Sequence, residues 1–339
     1  MRAIVLGVSA ALCLVGCGSS DAERDQPTGP NLGSTPEQGA PPNAVGGFSI
    51  TIPKETLAPG DETLPCWLFP LELEGPSRFV AAASLSVGDG LHHGNITTRK
   101  KTGEGVRPCP KDDNPGIVGG EAGDIIDGGA VLFGSSTQLV GTEWHRFPEG
   151  KAYRVKDGYE VVARMHYLNT GSAAISVEPK YRWYTIPEAD VVDELAPFAW
   201  VLTDFEIPPL AEHSESRDCT FWKEMRVVDA MPHMHALGTR FHASYRGGPR
   251  DGELWLDHQG YDENTDILSY DPAVDLSQGE GVSFGCDWKN TFTKPIHEGI
   301  GDNEMCILFG YAYPAVNSFS AYAGAGGCVV VLPPEPGSP

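Results

Sequence analysis

The sequence predicts an all-β protein built from two tandem antiparallel β-sandwich domains. Short alternating or apolar runs are separated by turns rich in glycine and proline, of which the chain has 41 and 28. No run shows the long 3.6-residue apolar period of an amphipathic helix. Strands without intervening helices pack as antiparallel sandwiches, and 339 residues suffice for two domains of ordinary size.

The first 16 residues predict an export signal rather than part of the fold. One arginine precedes an apolar run that is too short to span a bilayer comfortably. The run ends in Leu14-Val15-Gly16-Cys17, which resembles the bacterial lipobox, in which the cysteine is lipidated. The alternative is an ordinary secretory signal with an accidental cysteine. On the lipobox interpretation, residues 17–46 are a lipidated cysteine and a polar tether, and Gly18 favours the outer membrane by similarity to known lipoproteins.

Strand-like runs occupy most of the chain beyond residue 46. In the first half they cover 48–52, 78–87, 158–168 and 180–186, and in the second half 223–236, 252–256, 281–286, 304–314 and 328–332. The best boundary lies within 187–198, which gives domains of 47–190 and 191–339. Polar glycine- and proline-rich stretches at 101–129 and 257–280 are predicted to be loops, and no internal repeat is obvious.

Charge and cysteine content narrow the function classes. With 24 basic and 46 acidic residues the net charge is −22, which makes nucleic acid an improbable partner. Besides Cys13 and Cys17 there are six cysteines, an even number that suggests disulfides in an exported protein. Pairing within domains gives Cys66–Cys109 and two bridges among Cys219, Cys286, Cys306 and Cys328. No CxxC pair is present, which argues against a thiolate zinc site.

Two features of the second half suggest a metal site. His233 and His235 form an HxH pair, and residues i and i+2 of a strand share a face, so both imidazoles can reach one ion while Met234 points away. Two surface histidines are the alternative explanation. Alternation groups Met305 with Ile307, Phe309 and Tyr311, with Cys306 and Leu308 on the other face. A thioether favours Cu(I), but Met305 alone is better explained as core packing.

The first half contains a His92-His93 pair and a later His166. Adjacent strand residues face opposite ways, so the pair can share an ion only at a strand end or a kink, which Gly90 and Gly94 would permit. His166 lies off the apolar face of its strand, so it is free to bind a metal. The alternative is that His166 is an ordinary exposed strand residue. The other histidines are predicted to be surface or structural residues: His145, His213, His242, His258 and His297.

Taken in order, these features resemble the ascorbate-dependent type II copper monooxygenases, which include peptidylglycine hydroxylating monooxygenase and dopamine β-monooxygenase. The similarity covers roughly residues 47–333. It rests on the order and spacing of Cys66, His92-His93, Cys109, His166-Tyr167, His233/His235 and Met305-Cys306.

The resemblance implies two eight-stranded jelly-roll domains that each hold one copper ion. One ion would be bound by His92, His93 and His166, and the other by His233, His235 and Met305. The implied disulfides are Cys66–Cys109, Cys286–Cys306 and Cys219–Cys328. The family's further bridges in the first domain have no cysteines here.

The implied reaction hydroxylates a C–H bond of a small organic substrate with O₂ and an ascorbate-like electron donor. The His/His/Met site would handle O₂, the three-histidine site would supply the second electron, and a water-filled cleft between the domains would admit the substrate. Where the peptide-amidating member holds a carboxylate, this chain has Met231, Ile307 and Phe309, so peptidylglycine is an improbable substrate. Two alternatives stay open: a non-catalytic copper-binding lipoprotein of the same fold, and a structural sandwich with fortuitous histidines.

Overall fold

The computed structural model describes residues 39–110, 124, 129–135, 139–220, 224–261, 267–276, 281–299, 302–315 and, for the backbone, 318–321. The predicted export signal, Cys17 and the predicted strand at 328–332 lie outside these residues. Within them, no helix is long and apolar enough to cross a membrane.

Nearly every described element is a strand. In the first half these are β1 (Gly46–Thr51), β2 (Glu55–Leu57), β3 (Glu62–Thr63), β4 (Cys66–Pro70), β5 (Phe79–Val87), β6 (Leu91–Lys100), β7 (Arg107–Pro108), β8 (Val131–Gly134), β9 (Gly141–Arg146), β10 (Lys151–Arg154), β11 (Tyr159–Leu168), β12 (Ile175–Val177) and β13 (Lys180–Ile186). In the second half they are β14 (Asp193–Val201), β15 (Glu206–Ile207), β16 (Glu212–Thr220), β17 (Met225–His233), β18 (Gly238–Arg246), β19 (Leu254–Gln259), β20 (Leu268–Leu276), β21 (Gly281–Lys289), β22 (Ile296–His297), β23 (Ile307–Tyr313) and β24 (Ser318–Ala321). Single 3₁₀ turns lie at Glu188–Asp190 and Gly248–Arg250.

The two halves repeat one jelly-roll topology. In the first, β1-β13-β5-β10 lie in one sheet and β4-β11-β6-β8 in the other. In the second, β14-β23-β17-β20 face β16-β21-β18-β19. The eight strands just named for each half can be numbered 1 to 8 in chain order. With this numbering, each half has one sheet of order 1-8-3-6 and one of order 2-7-4-5. The prediction of an all-β protein with two tandem jelly-roll sandwiches is therefore confirmed, and the repeat is one of topology that the residues do not reveal.

Strand alternation separates the core faces as predicted. On β11, Val161, Ala163, Met165 and Tyr167 pack in the first core. The opposite face carries Arg164, whose guanidinium donates to the Asp124 carboxylate at 2.7 Å. His166 lies on that second face, at the end of the strand, where it is free of the apolar core.

The sandwiches are joined by backbone pairing and by shared packing. β10 pairs with β14 in parallel, which makes one ten-stranded sheet from the first sheet of each half. On β23, Phe309 and Tyr311 pack into the first core, while Leu308 and Ala312 belong to the second. A Cβ placed on Gly134 would lie 3.3 Å from the Met231 methyl group, so the halves touch closely at this point.

Two loop predictions and one tether boundary are wrong in part. Strand β20 and the end of β19 lie in the predicted loop 257–280, and β7 lies in 101–129. Of the predicted tether, residues 39–45 lie against the first sandwich: Arg146 donates to the Gly39 carbonyl at 2.9 Å and Asn43 to the Asp190 carboxylate at 2.7 Å. These side-chain hydrogen bonds, and the one from the Val45 backbone N–H to the Thr185 carbonyl at 2.8 Å, hold the segment despite its polar composition.

The described disulfides agree with the pairing that the resemblance implies. Cys66 is bonded to Cys109, with 5.3 Å between the Cα atoms, and Cys286 to Cys306, with 6.0 Å. Cys219 is also disulfide-bonded, and Cys328 lies outside the described residues. The Cys286–Cys306 bridge connects β21 to the segment that enters β23, and so fixes the backbone next to Met305.

The contact between the halves can be tested with Tyr311→Phe. The Tyr311 hydroxyl donates to the Val131 carbonyl in the other sandwich at 2.9 Å, and the side chain is fully buried. Removing the hydroxyl leaves that carbonyl without this donor, so we expect the free energy of unfolding in urea to fall by about 1–3 kcal/mol. Tyr313→Phe is the control, because its ring contacts Lys151 and Arg226 through the face that phenylalanine retains. Equal losses in both variants would contradict the proposed contribution of the hydroxyl.

Candidate metal centre

A β-bulge brings His92 and His93 to the same side of β6. His93 pairs with His166 on β11, but the next pair joins Tyr167 to Leu91, so His92 is the extra residue. A bulge turns two successive side chains toward one face, which a regular strand does not allow. Gly90, with φ of +100°, precedes the bulge, as the predicted kink requires.

The three imidazoles of the first sandwich converge at this bulge. Their ligand atoms lie within 4.8 Å of one another. The Nε2 atom of His93 and the Nδ1 atom of His166 are 3.2 Å apart. Two nitrogens bound tetrahedrally to one ion at ~2.0–2.1 Å are about 3.3 Å apart, so this pair already has the spacing of shared ligands.

Glu62 orients His166, and nothing in the sequence pointed to it. The Glu62 carboxylate lies 2.7 Å from the His166 Nε2 atom. Because an ionised carboxylate can only accept, Nε2 carries the proton and Nδ1 presents its lone pair. Glu62 is placed by the pairing of β3 with the end of β11, a long-range contact.

In the second sandwich, His233 ends β17 and His235 follows it. Met234 packs in the second core, so the two imidazoles point away from that core as predicted. His235 donates from Nδ1 to the Asn303 carbonyl at 2.8 Å, which leaves its Nε2 lone pair available. The Nε2 atoms of His233 and His235 and the Nδ1 atom of His92 are buried without a hydrogen-bond partner.

Glu304 holds the backbone that follows the HxH pair. Its carboxylate accepts from the backbone N–H of His235 at 2.9 Å and of Leu237 at 2.7 Å, and from the Trp288 indole at 3.1 Å. Burial raises the pKa of Glu304 to about 7, although these donors oppose the shift. The only sequence signal for this residue was its position directly before Met305.

Met305 is brought to the same end of the second sandwich. His233 pairs with Ile307, and the antiparallel register continued by two residues sets Met305 level with His235. Its side chain is 2% exposed and packs with Val201 and Ile307 in a small apolar cluster apart from both main cores.

The two sets of histidines are contiguous, which corrects the expectation of separate sites across a water-filled cleft. Ring centroids of His92 and His235 are 6.3 Å apart, and those of His93 and His233 are 5.8 Å apart. Nearby, Met231 and Phe309 are buried in the first core. Apolar side chains of the second sandwich extend the core of the first at this point, and the two sets of rings approach each other directly.

Burial favours the neutral form of four of these imidazoles, those of His92, His93, His233 and His235. It lowers the pKa of His92 to about 4, an effect to which the neighbouring His166 adds. It lowers the pKa of His233 to about 3, with smaller contributions from His235 and His92. The pKa values of His93 and His235 are lowered mainly by the same cause. Neutral imidazole is the metal-binding form, so little proton displacement opposes an ion at pH 7.

This donor set fits a copper ion. Imidazole binds Cu, Zn, Fe and Ni, and a thioether adds preference for Cu(I). A buried lone pair without a partner is costly, and a bound cation would compensate for the loss of hydration at each of these nitrogens. The two nearby carboxylates do not form an oxygen-rich site for a hard metal ion. Glu62 contacts the His166 ring, and Glu304 accepts from the backbone N–H of His235.

The remaining histidines do not join this cluster. His145 is buried, and its Nε2 atom lies 3.8 Å from the Asp229 carboxylate in the other sandwich. His213 stacks on Trp288, and the His297 side chain is 54% exposed. The structural or surface position expected for these three agrees with the structure.

Comparisons with known proteins do not assign a family. No family model matches the chain, and no curated protein matches it. Solved structures with similarity include the Sulfolobus turreted icosahedral virus (9% identity, 79% of this chain and 56% of that chain, TM-score 0.23). Another is the VP2 subviral particle of infectious bursal disease virus (11% identity, 83% and 74%, TM-score 0.17). The chain thus spans little more than half of the viral protein named first.

The neutral state of His233 predicts a pH dependence of stability in the metal-free protein. Between about pH 6.5 and pH 4 an unfolded histidine takes up a proton, whereas folded His233, with a pKa of about 3, does not. The free energy of unfolding therefore decreases as the pH is lowered through this window, by up to about 1.4 kcal/mol per pH unit for this group. Compared with His233→Gln in urea after chelation, wild type should lose more stability on acidification; a pH-independent difference would refute this.

The carboxylate of Glu304 is expected to support copper affinity from outside the ligand set. Glu304→Gln replaces one acceptor oxygen with an amide that repels the backbone donors of His235 or Leu237. We expect copper affinity at the HxH pair to fall about 10–100-fold in a chelator competition. Glu206→Gln, at a side chain 65% exposed on β15, is the matched control. Unchanged affinity in Glu304→Gln would show that the loop needs no such support.

Proposed function

We propose that this protein is a copper-dependent monooxygenase that hydroxylates a C–H bond of a small organic molecule. The observation that carries the proposal is the convergence of His92, His93 and His166, whose ligand atoms lie within 4.8 Å of one another. The rings of His233 and His235 lie directly beside this group. The family resemblance supplies the reaction class. It is balanced as substrate-H + O₂ + two electrons + two protons giving substrate-OH + water.

Copper, when bound, would supply one-electron redox chemistry that zinc cannot. The chain's own residues would do the rest. Glu62 holds the His166 ring with Nδ1 directed at His93, and Asn303 holds His235 with Nε2 available. Burial of His93 and His166, and partial burial of the other three rings, restrict water at the donors before any ion arrives.

The substrate we propose is uncharged and apolar or aromatic. Met231, Ile307 and Phe309 occupy the positions that hold a carboxylate in the peptide-amidating member, and each is at most 8% exposed. A carboxylate buried among such side chains would have no partner to offset its desolvation. An ascorbate-like one-electron donor is the proposed co-substrate.

We also propose that the protein is exported and anchored to the cell envelope through a lipid on Cys17, with the outer membrane as the preferred site. Membrane attachment would place the enzyme in an oxidising compartment, in keeping with the described disulfides. The net charge of −22 disfavours nucleic acid as a partner.

One observation favours a second candidate, a non-catalytic copper-binding lipoprotein. Met305 is 2% exposed and packed among Val201 and Ile307, so its thioether is not presented to solvent or to a substrate cavity. A protein that only holds copper would need no such access.

The proposal is tested by O₂ uptake with copper, ascorbate and a panel of aromatic and aliphatic compounds. We expect uptake and a hydroxylated product with at least one compound. Met305→Leu preserves apolar volume, so a loss of about 10-fold or more in this variant would report the thioether rather than packing. His297→Gln, at an exposed site, should match wild type.

The alternatives give different results in the same assay. Two bound coppers with no uptake for any compound would favour copper handling without catalysis. No tight copper binding in the purified protein would favour a structural sandwich with fortuitous histidines. Full activity in Met305→Leu would assign Met305 to packing alone.

A further inference from the structure

One end of each sandwich is closed by the same arrangement. A two-stranded ladder lies there, β2–β12 in the first half and β15–β22 in the second. In each half an asparagine directly follows the seventh strand, β11 or β21, and is 2% exposed. Asn169 donates from Nδ2 to the Leu57 carbonyl at 3.1 Å, and Asn290 donates from Nδ2 to the Ile207 carbonyl at 3.2 Å. The two turns around these asparagines are therefore equivalent.

The equivalence places Leu210 where the first sandwich has Gly60, and Phe292 where it has Gly171. Gly60 and Leu210 follow the accepting carbonyl at the same distance along the chain, and both have a positive φ, +82° and +53°. Gly171 and Phe292 each donate a backbone N–H to the asparagine Oδ1, at 3.0 Å and 2.8 Å. The second sandwich thus carries bulky apolar residues at two positions where glycine forms the same turn.

Leu210 is the less favourable residue for its backbone conformation. Among the described residues other than glycine, it alone has a φ in the left-handed region. A Cβ is crowded in this region, which is why glycine is the default residue there. The leucine side chain is 67% exposed, so burial within the chain does not offset the strain. Backbone strain without a packing gain points to a contact outside the molecule.

Leu210 and Phe292 form one exposed tip. The Leu210 N–H donates to the Phe292 carbonyl at 3.0 Å, and the Phe292 side chain is 38% exposed. The Lys294 ammonium lies 5.7 Å from the centroid of the Phe292 ring and pairs with the Asp302 carboxylate at 2.9 Å. Lysine beside apolar side chains suits a bilayer interface, because its charged end can stay among the headgroups.

We propose that the Leu210–Phe292 tip inserts into the membrane to which Cys17 anchors the chain, and so fixes which face of the protein lies against the bilayer. The inference rests on the proposed lipid anchor and adds to it. The 22 residues from Cys17 to Gln38 can span at most about 75 Å. A connection of that length permits many orientations of the sandwiches, so the anchor alone does not select one.

A lipid surface fits the tip better than a protein partner does. Two side chains offer far less than the roughly 1,000 Å² that a specific protein interface buries. A bilayer accepts single apolar side chains, and an anchor keeps the tip at a high local concentration beside it. The net charge of −22 repels anionic headgroups, so burial of the apolar side chains must supply the attraction.

The test uses the full mature chain with Cys17→Ser, which cannot be lipidated, so that binding reports the tip. Its partition into vesicles of phosphatidylethanolamine and phosphatidylglycerol is measured by flotation. Leu210→Gly/Phe292→Gly in this background should lower the partition coefficient about 10-fold or more. The first sandwich forms the same turn with glycine, so this variant should fold. Val106→Ser/Val140→Ser, at valines 55% and 63% exposed, is the matched control and should not change the partition.

Binding through apolar side chains should persist in about 0.5 M NaCl, which screens charges. No vesicle binding by the chain with the native tip, equal binding by the glycine variant, or binding lost in salt would overturn the inference. A tip-dependent dimer in analytical ultracentrifugation would also overturn it, because the tip would then contact a second copy. Circular dichroism and urea unfolding check that each variant is folded.

The anchor is tested separately by mass spectrometry of the protein isolated from cell envelopes. Tip-dependent vesicle binding with an unmodified Cys17 would refute the anchor and leave the tip contact standing. A lipid on Cys17 without any tip-dependent binding would do the reverse.

Discussion

The parallel pairing of β10 with β14 joins the two jelly rolls and sets the position of everything in the candidate site. A sandwich alone buries its own core, but here β23 contributes Phe309 and Tyr311 to the first core and Leu308 and Ala312 to the second. The sheet continues through the junction because β14 begins only seven positions after β13 ends, at Asp193 and Ile186. The ends of β6, β11 and β17 consequently meet at one place.

The convergence of these strand ends buries imidazole nitrogens, which is energetically unfavourable. Five rings with low exposure, several of them with nitrogens that make no hydrogen bond, are unfavourable in a protein without a compensating ligand. Glu62, Asn303 and Glu304 fix ring tautomers and backbone on the outer side of the cluster. Such support on one side and unused lone pairs on the other is the arrangement expected of a metal site.

The β class and many strands could be predicted from residue patterns, because alternation is local. The runs at 158–168 and 180–186 correspond to β11 and β13, since their apolar residues repeat every second position. Strand β20 lies at the end of its sheet and has an apolar face, to which Leu268, Tyr270, Val274 and Leu276 belong. It was missed because polar residues alternate with these side chains and polar stretches flank the strand. Polar sequence with Pro272 looks like a loop unless the partner strand is known.

The histidines were found through their order in the chain, whereas their surroundings were not. A kink at His92-His93 was predicted from flanking glycines, but the bulge itself depends on the register with β11. Glu62 contacts His166 across 104 positions, and His92 meets His235 between sandwiches, so no local pattern encodes either contact. The resemblance suggested two separate sites, and only tertiary packing shows one cluster.

The central claim is that these five imidazoles surround metal at the junction of the sandwiches. Its most direct measurement is anomalous diffraction at the copper edge from crystals of the copper-loaded protein. Two peaks within the shell formed by His92, His93, His166, His233 and His235 would agree with this account. Peaks elsewhere, or histidine sets held apart by ordered solvent, would contradict it.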